Sequence, residues 1–86
     1  MANMIEANAK ITREQFHREL EAILEAPKGS LRSETSLGEV TWDSMAILSL
    51  ISFADLRLGA FVDGAKASKA VTVKDLERIL SEFIED

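Results

Sequence analysis

The segment that most constrains the fold runs from Ser44 to Leu58, where apolar side chains recur at spacings of three and four residues. This spacing places them on one face of an α-helix, which is buried only when other elements pack against it. A central helix of this kind predicts a small all-α bundle. The positions predicted to face the core are Ile47, Leu50, Ile51, Ala54 and Leu58.

Two further apolar residues of this segment, Met45 and Leu48, lie off that face. We interpret Leu48 as buried by a neighbouring element and Met45 as exposed beside the start of the helix. An exposed apolar side chain next to a functional residue is typical of an interaction surface.

The residues before the segment predict a well-defined helix start. Asp43 has the side chain of an N-cap, whose carboxylate accepts a backbone N–H of the first turn. Trp42 and Ile47 have the spacing of a hydrophobic staple around this cap. Ser44 therefore falls at the first helical position, where the helix dipole favours negative charge and the backbone donors suit phosphate oxygens.

An amphipathic helix is predicted on each side of the central one. The first begins after the N-cap Thr12 and stops by Ala26, because Pro27 disfavours helix at the residue before it. The last begins after the N-cap Thr72. The predicted core residues of these two helices are Phe16, Leu20, Ile23, Leu24, Val73, Leu76, Ile79, Leu80 and Phe83, whereas Arg13, Glu14, Arg18, Glu21 and Glu25 are predicted on the outer face.

The connections complete a predicted bundle of three main helices and a short one. Gly59 is predicted to end the central helix, and Phe61 and Val62 to contact the core. Residues 65–70 are predicted to form the short third helix, and we detect no strand pattern. A long loop from Lys28 to Trp42 joins the first two helices, and Leu31, Leu37 and Val40 are predicted to pin it. We expect residues 1–10 to be a flexible lead-in and residues 11–86 to form a single domain.

Composition excludes several classes of function. The net charge of −5 argues against a nucleic-acid partner, and the absence of cysteine excludes disulfides and thiolate metal sites. The apolar run of the central helix is too short and polar to insert in a membrane, and the first ten residues lack a signal-peptide pattern. We therefore expect a cytoplasmic monomer. His17 is the only histidine, and we interpret it as solvated or partly packed, so we expect neither an enzyme nor a metal site.

The residues Asp43-Ser44-Met45, followed by Ile47, Leu48, Leu50 and Ile51, resemble the attachment site of acyl carrier proteins. The long loop ending in Asp-Ser and the helical pattern extend this resemblance from Thr12 to Ile84. The resemblance implies that Ser44 carries a 4′-phosphopantetheine arm, attached by a phosphopantetheinyl transferase from coenzyme A, and that the arm holds acyl groups as thioesters. It further implies that partner proteins, including acyl-loading and acyl-transferring enzymes, recognise Asp43, Met45 and Ile47.

The chain departs from the family in one respect, because its central helix carries only Asp55 among acidic residues and also carries Arg57. Many acyl carriers display several acidic residues there, so this chain resembles a specialised carrier of lipid or secondary-metabolite biosynthesis. Two alternatives stay open. In the first, the chain is an aminoacyl or peptidyl carrier. In the second, it is a helical interaction module without a prosthetic group, in which Asp43 is only a helix cap.

Overall fold

Four α-helices and one pair of very short parallel strands form the fold of residues 10–85, which are the residues that the computed structural model describes. The predicted lead-in, apart from Lys10, lies outside them. No helix among the described residues is long and apolar enough to cross a lipid bilayer. The elements are β1 (Ile11–Thr12), α1 (Arg13–Leu24), α2 (Ser44–Phe53), α3 (Gly64–Ser68), α4 (Val73–Ile79) and β2 (Ile84–Glu85).

Helix α1 begins at the predicted cap. The Thr12 hydroxyl accepts the Gln15 N–H at 3.0 Å, and the Gln15 side chain accepts the Thr12 N–H at 2.8 Å. The helix ends at Leu24, because Glu25 takes a left-handed conformation with φ of 56°. This turn redirects the chain before Pro27, so the predicted end of the helix is confirmed.

Helix α2 continues beyond Phe53 as one π-helical turn, Ala54–Leu58. Gly59 follows with φ of +63°, a left-handed conformation that favours glycine. The helical segment thus spans residues 44–58 as predicted, with a wider last turn than the sequence indicates.

The buried face of α2 differs from the predicted one. Phe53 and Ala46 are buried, whereas Ile47 and Ile51 are only half-buried. Leu48, predicted to be buried, is 59% exposed, so that prediction is wrong. The physical reason is that helical rotation places Leu48 about 160° around the axis from the fully buried Leu50. The buried residues of this segment are Ala46, Leu50, Phe53, Ala54 and Leu58.

Helices α3 and α4 close the bundle. The Asp63 carboxylate caps α3 by accepting the Ala65 N–H at 2.9 Å, so this helix begins one residue earlier than predicted and ends two residues earlier. Helix α4 begins after the N-cap Thr72 as predicted, and the Asp75 carboxylate accepts the Thr72 N–H at 3.1 Å, a bond that was not predicted. Val62 is buried, but Phe61, also predicted to contact the core, is 87% exposed. Val73, Leu76 and Leu80 are fully buried, and Ile79 and Phe83 are half-buried.

A parallel pairing joins the two ends of the described chain, so the expectation of no strand is wrong, whereas the predicted helical character of the domain is confirmed. Ile11 pairs with Ile84, and Thr12 pairs with Glu85. Each strand has only two residues, which is too short to show the alternation that marks a strand in sequence.

The long connection between α1 and α2 is fixed by contacts with the core and by hydrogen bonds to the start of α4. Leu31 and Leu37 are buried in the core, and Val40 packs against it, as predicted. The chain also bonds to the start of α4, since the Leu37 N–H donates to the Val71 carbonyl at 2.8 Å and the Val73 N–H donates to Thr35 at 3.0 Å. These contacts fix the path by which the loop reaches the start of α2.

Candidate functional site

The start of α2 is built around Asp43. Its backbone is extended, with φ of −117° and ψ of −174°, and its carboxylate accepts the Ala46 N–H at 3.0 Å. Its carbonyl accepts the Ile47 N–H, also at 3.0 Å. Asp43 is therefore the N-cap that the sequence predicts.

Ser44 is the first residue of α2, and its side chain is exposed. The N–H groups of Ser44 and Met45 belong to the first helical turn, where backbone donors have no partner within the helix. Together with the helix dipole, they create an environment that stabilises a negatively charged group near the Ser44 hydroxyl.

Trp42 anchors the chain immediately before the cap. Its indole N–H donates to the Ala67 carbonyl of α3 at 3.0 Å, and its ring packs against the core together with Ile47. The loop end is thus attached to α3 as well as to α2, which limits the positions that Ser44 can take.

The apolar residues near Ser44 divide into exposed and packed ones. Met45 is 69% exposed, as predicted, and Leu48 joins it on the surface. The α-helical rotation of about 100° per residue places Leu48 about 40° from Ser44 around the helix axis. Ile47, predicted to be read by partners, is half-buried against the core and offers less surface. Leu48 is therefore a surface residue that sequence reasoning missed.

A groove of about 330 Å³ lies on the other flank of α2, between its start and the end of α1. Helical rotation places Ser49, one of its lining residues, about 140° from Ser44. Ser44 itself does not line the groove, although its chain neighbours Asp43 and Met45 do. The groove is lined by Ile23, Leu24, Glu25, Thr41, Asp43, Met45, Ala46 and Ser49.

The interior beneath α2 is filled by its own side chains. Ala54 and Leu58, which would have to border any slot for an acyl chain beneath the helix, are fully buried in the core. Such a slot would open only if these side chains moved, so plain core packing accounts for them.

A second polar cluster lies between α1, the long loop and α4. Glu77 is buried, and one of its oxygens lies 2.7 Å from both the Ser33 hydroxyl and His17 Nε2. Because Ser33 donates to the carboxylate and not to the imidazole, His17 is not placed as its base. We interpret the cluster as a link that ties the loop to two helices. The predicted partly packed state of His17 is confirmed, while its partner Glu77 was not predicted.

Within residues 10–85, no group of three or more histidine, cysteine, aspartate or glutamate side chains is arranged to hold a metal ion. Comparisons with protein-family models, with curated proteins and with solved structures found no match. The functional interpretation therefore depends on the geometry at the start of α2.

Proposed function

We propose that the protein is an acyl carrier whose Ser44 holds a 4′-phosphopantetheine arm. The observation that carries this proposal is the exposed Ser44 side chain at the first position of a helix capped by Asp43. A phosphodiester on the Ser44 Oγ would be negatively charged, and the positive end of α2 stabilises such a charge. When bound, the arm supplies a thiol that holds an acyl group as a thioester.

The contribution of the chain itself is to present the hydroxyl and to limit its motion. The Asp43 cap and the Trp42 bond to α3 hold the helix start in place. The core under α2 leaves the hydroxyl facing outward, where a phosphopantetheinyl transferase that uses coenzyme A can reach it. Since the chain has no cysteine, the arm's thiol would be the only thiol on the molecule.

We further propose that the transferase and the acyl-loading and acyl-transferring enzymes contact Asp43, Met45 and Ile47. Leu48 extends this surface, because it is exposed and lies near Ser44 around the helix. This surface around Ser44 carries few charges, which favours apolar contact with partner enzymes. It also favours a role in a dedicated lipid or secondary-metabolite pathway. The same features suit an aminoacyl or peptidyl carrier.

One observation favours a different class of function. The hydrogen bond between the Asp43 carboxylate and the Ala46 N–H accounts for Asp43 as a structural cap alone. In that case the protein is an interaction module without a prosthetic group.

Labelling with a fluorescent coenzyme A analogue and a promiscuous phosphopantetheinyl transferase tests the proposal. A carrier becomes fluorescent on a denaturing gel, and Ser44→Ala abolishes the label. Absence of label on the folded wild-type chain would favour the interaction module.

A further inference from the structure

A surface formed by α4, α3, the chain before α3, the start of α1 and β2 combines basic side chains with an exposed aromatic ring. It consists of two adjacent depressions, of about 470 Å³ and about 150 Å³, which share Arg78. We name the two together the basic surface. The larger depression is lined by Phe61, Asp63, Lys66, Arg78 and Ile79, and the smaller by Arg13, Lys74, Glu77, Arg78, Ser81 and Ile84.

The basic surface differs in charge from the chain as a whole. The net charge of the protein is −5, yet these depressions are lined by two acidic residues, Asp63 and Glu77, and by four basic ones: Arg13, Lys66, Lys74 and Arg78. Arg13 forms an ion pair with Glu77 at 3.7 Å. Within the part of the chain that the structure describes, Lys66 and Lys74 make no ion pair. This concentration of positive charge attracts a negatively charged partner.

The carboxylates at this surface are already engaged within the protein. Asp63 caps α3, and Asp75 accepts two backbone N–H groups at 2.8 Å and 3.1 Å. Glu77 is buried and accepts the bonds from the polar cluster described above. The ion pair between Arg78 and Asp75 is long, at 3.6 Å, and exposed, so it contributes little and leaves the guanidinium available to a partner.

Phe61 supplies an apolar anchor beside these charges. At 87% exposure it is the most exposed large apolar side chain among residues 10–85, and it lines the same depression as the half-buried Ile79. Aromatic and arginine side chains are enriched at the energetic centres of protein interfaces. An exposed ring next to Lys66 and Arg78 fits a ligand that is both apolar and acidic.

We propose that the basic surface docks an acidic segment of a partner protein, in which carboxylates flank a large apolar side chain. The carboxylates pair with Arg78, Lys66 and Lys74, and the apolar side chain packs on Phe61. This interaction is independent of the proposed function, because every residue involved lies outside α2.

The test uses a short synthetic peptide in which glutamates flank a tryptophan and a leucine, with glutamine replacing every glutamate in a control peptide. Titration of the full, isotope-labelled chain should perturb the nuclear magnetic resonance signals of Phe61, Lys66, Arg78 and Ile79. Phe61→Ser and Arg78→Gln should each raise the Kd about fivefold or more, and added salt should weaken binding. Both side chains are exposed, so these variants should keep the wild-type spectrum.

Leu56→Ser is the matched control, because Leu56 is 78% exposed and lines neither depression. It should leave the Kd unchanged. Equal binding of the glutamine peptide, or perturbations centred on Met45 and Leu48, would overturn the proposal. Binding to vesicles rich in phosphatidylserine, with no binding to the peptide, would also overturn it and would assign the surface to a membrane. Self-association in sedimentation that Phe61→Ser abolishes would overturn it too and would assign the surface to a second copy of the chain.

Discussion

The Glu21 carboxylate accepts the backbone N–H of Leu31 at 3.1 Å, and through this bond α1 holds the long loop that leads to Ser44. The same oxygen accepts the Gly29 N–H at 2.9 Å, and Arg18 donates to both carboxylate oxygens at 3.1 Å. Glu21 is only 3% exposed, which corrects the prediction that it lies on the outer face. A buried charge is tolerated here because donors surround it.

Removing this carboxylate should destabilise the fold. Glu21→Ala leaves the Leu31 N–H buried without its partner, which should lower the free energy of unfolding by about 1–3 kcal/mol. Urea denaturation at neutral pH measures the change. Glu14→Ala is the control, since Glu14 is exposed and pairs with the same Arg18, and it should change the free energy by less than about 0.5 kcal/mol. Equal losses in the two variants would show that the loop does not depend on Glu21.

The stability of the protein should fall in acid through the same group. Burial raises the pKa of Glu21, but hydrogen bonds from the Leu31 and Gly29 N–H groups and the charge of Arg18 outweigh this and hold the pKa below its ordinary value of 4.5. A lowered pKa in the folded state means that the stabilisation is fully present above the unfolded-state pKa. It is lost as the pH falls through the folded-state value.

Urea denaturation at a series of pH values from neutral to below 4.5 measures this effect. Glu21→Gln should flatten the dependence, because glutamine does not titrate. Some acid sensitivity should persist, since the hydrogen bonds from the Val71 and Thr72 N–H groups lower the pKa of Asp75 as well. An unchanged slope in Glu21→Gln would contradict the assignment to Glu21.

Two leucines of α2 should respond in opposite ways to the same substitution. Leu50 is fully buried and Leu48 is 59% exposed. Leu50→Ala should cost about 2–5 kcal/mol through lost burial and a residual cavity, and Leu48→Ala less than about 0.5 kcal/mol. Thermal or denaturant unfolding of both variants measures the difference. A large loss for Leu48→Ala would contradict its exposure and support the sequence prediction that a neighbouring element buries it.

The sequence predicts the helix starts because each cap is a bond between residues close in the chain. Thr12 bonds Gln15, Asp43 bonds Ala46, and both pairs are three residues apart. Leu48 could not be placed in this way, because its exposure depends on which flank of α2 the distant helix α1 occupies.

Features that join distant segments were missed for the same reason. Glu21 is buried by loop residues eight and ten positions away, and Ile11 pairs with Ile84 from the opposite end of the chain. At the candidate site, the position of Ser44 follows from local chemistry, so the sequence predicts where the hydroxyl lies. Its chemical use depends on an enzyme outside the chain.

The two roles suggested for Asp43 can be separated with two substitutions. Asp43→Ala removes the bond to the Ala46 N–H and should lower the free energy of unfolding by about 0.5–2 kcal/mol. Asp43→Asn keeps a good N-cap side chain but removes the negative charge. If a transferase recognises the negative charge of Asp43, Asp43→Asn should slow arm attachment while the free energy of unfolding changes little. Wild-type attachment rates in both variants would leave Asp43 as a cap alone.

The central claim is that Ser44 is the attachment point of the arm, and intact-mass spectrometry tests it most directly. After incubation with coenzyme A and a promiscuous phosphopantetheinyl transferase, the wild-type chain should gain the mass of one phosphopantetheine group. Ser49→Ala and Ser52→Ala, which remove other exposed serines of α2, should show the same gain, and Ser44→Ala should show none. No gain in the folded wild-type chain, or a full gain in Ser44→Ala, would contradict the account.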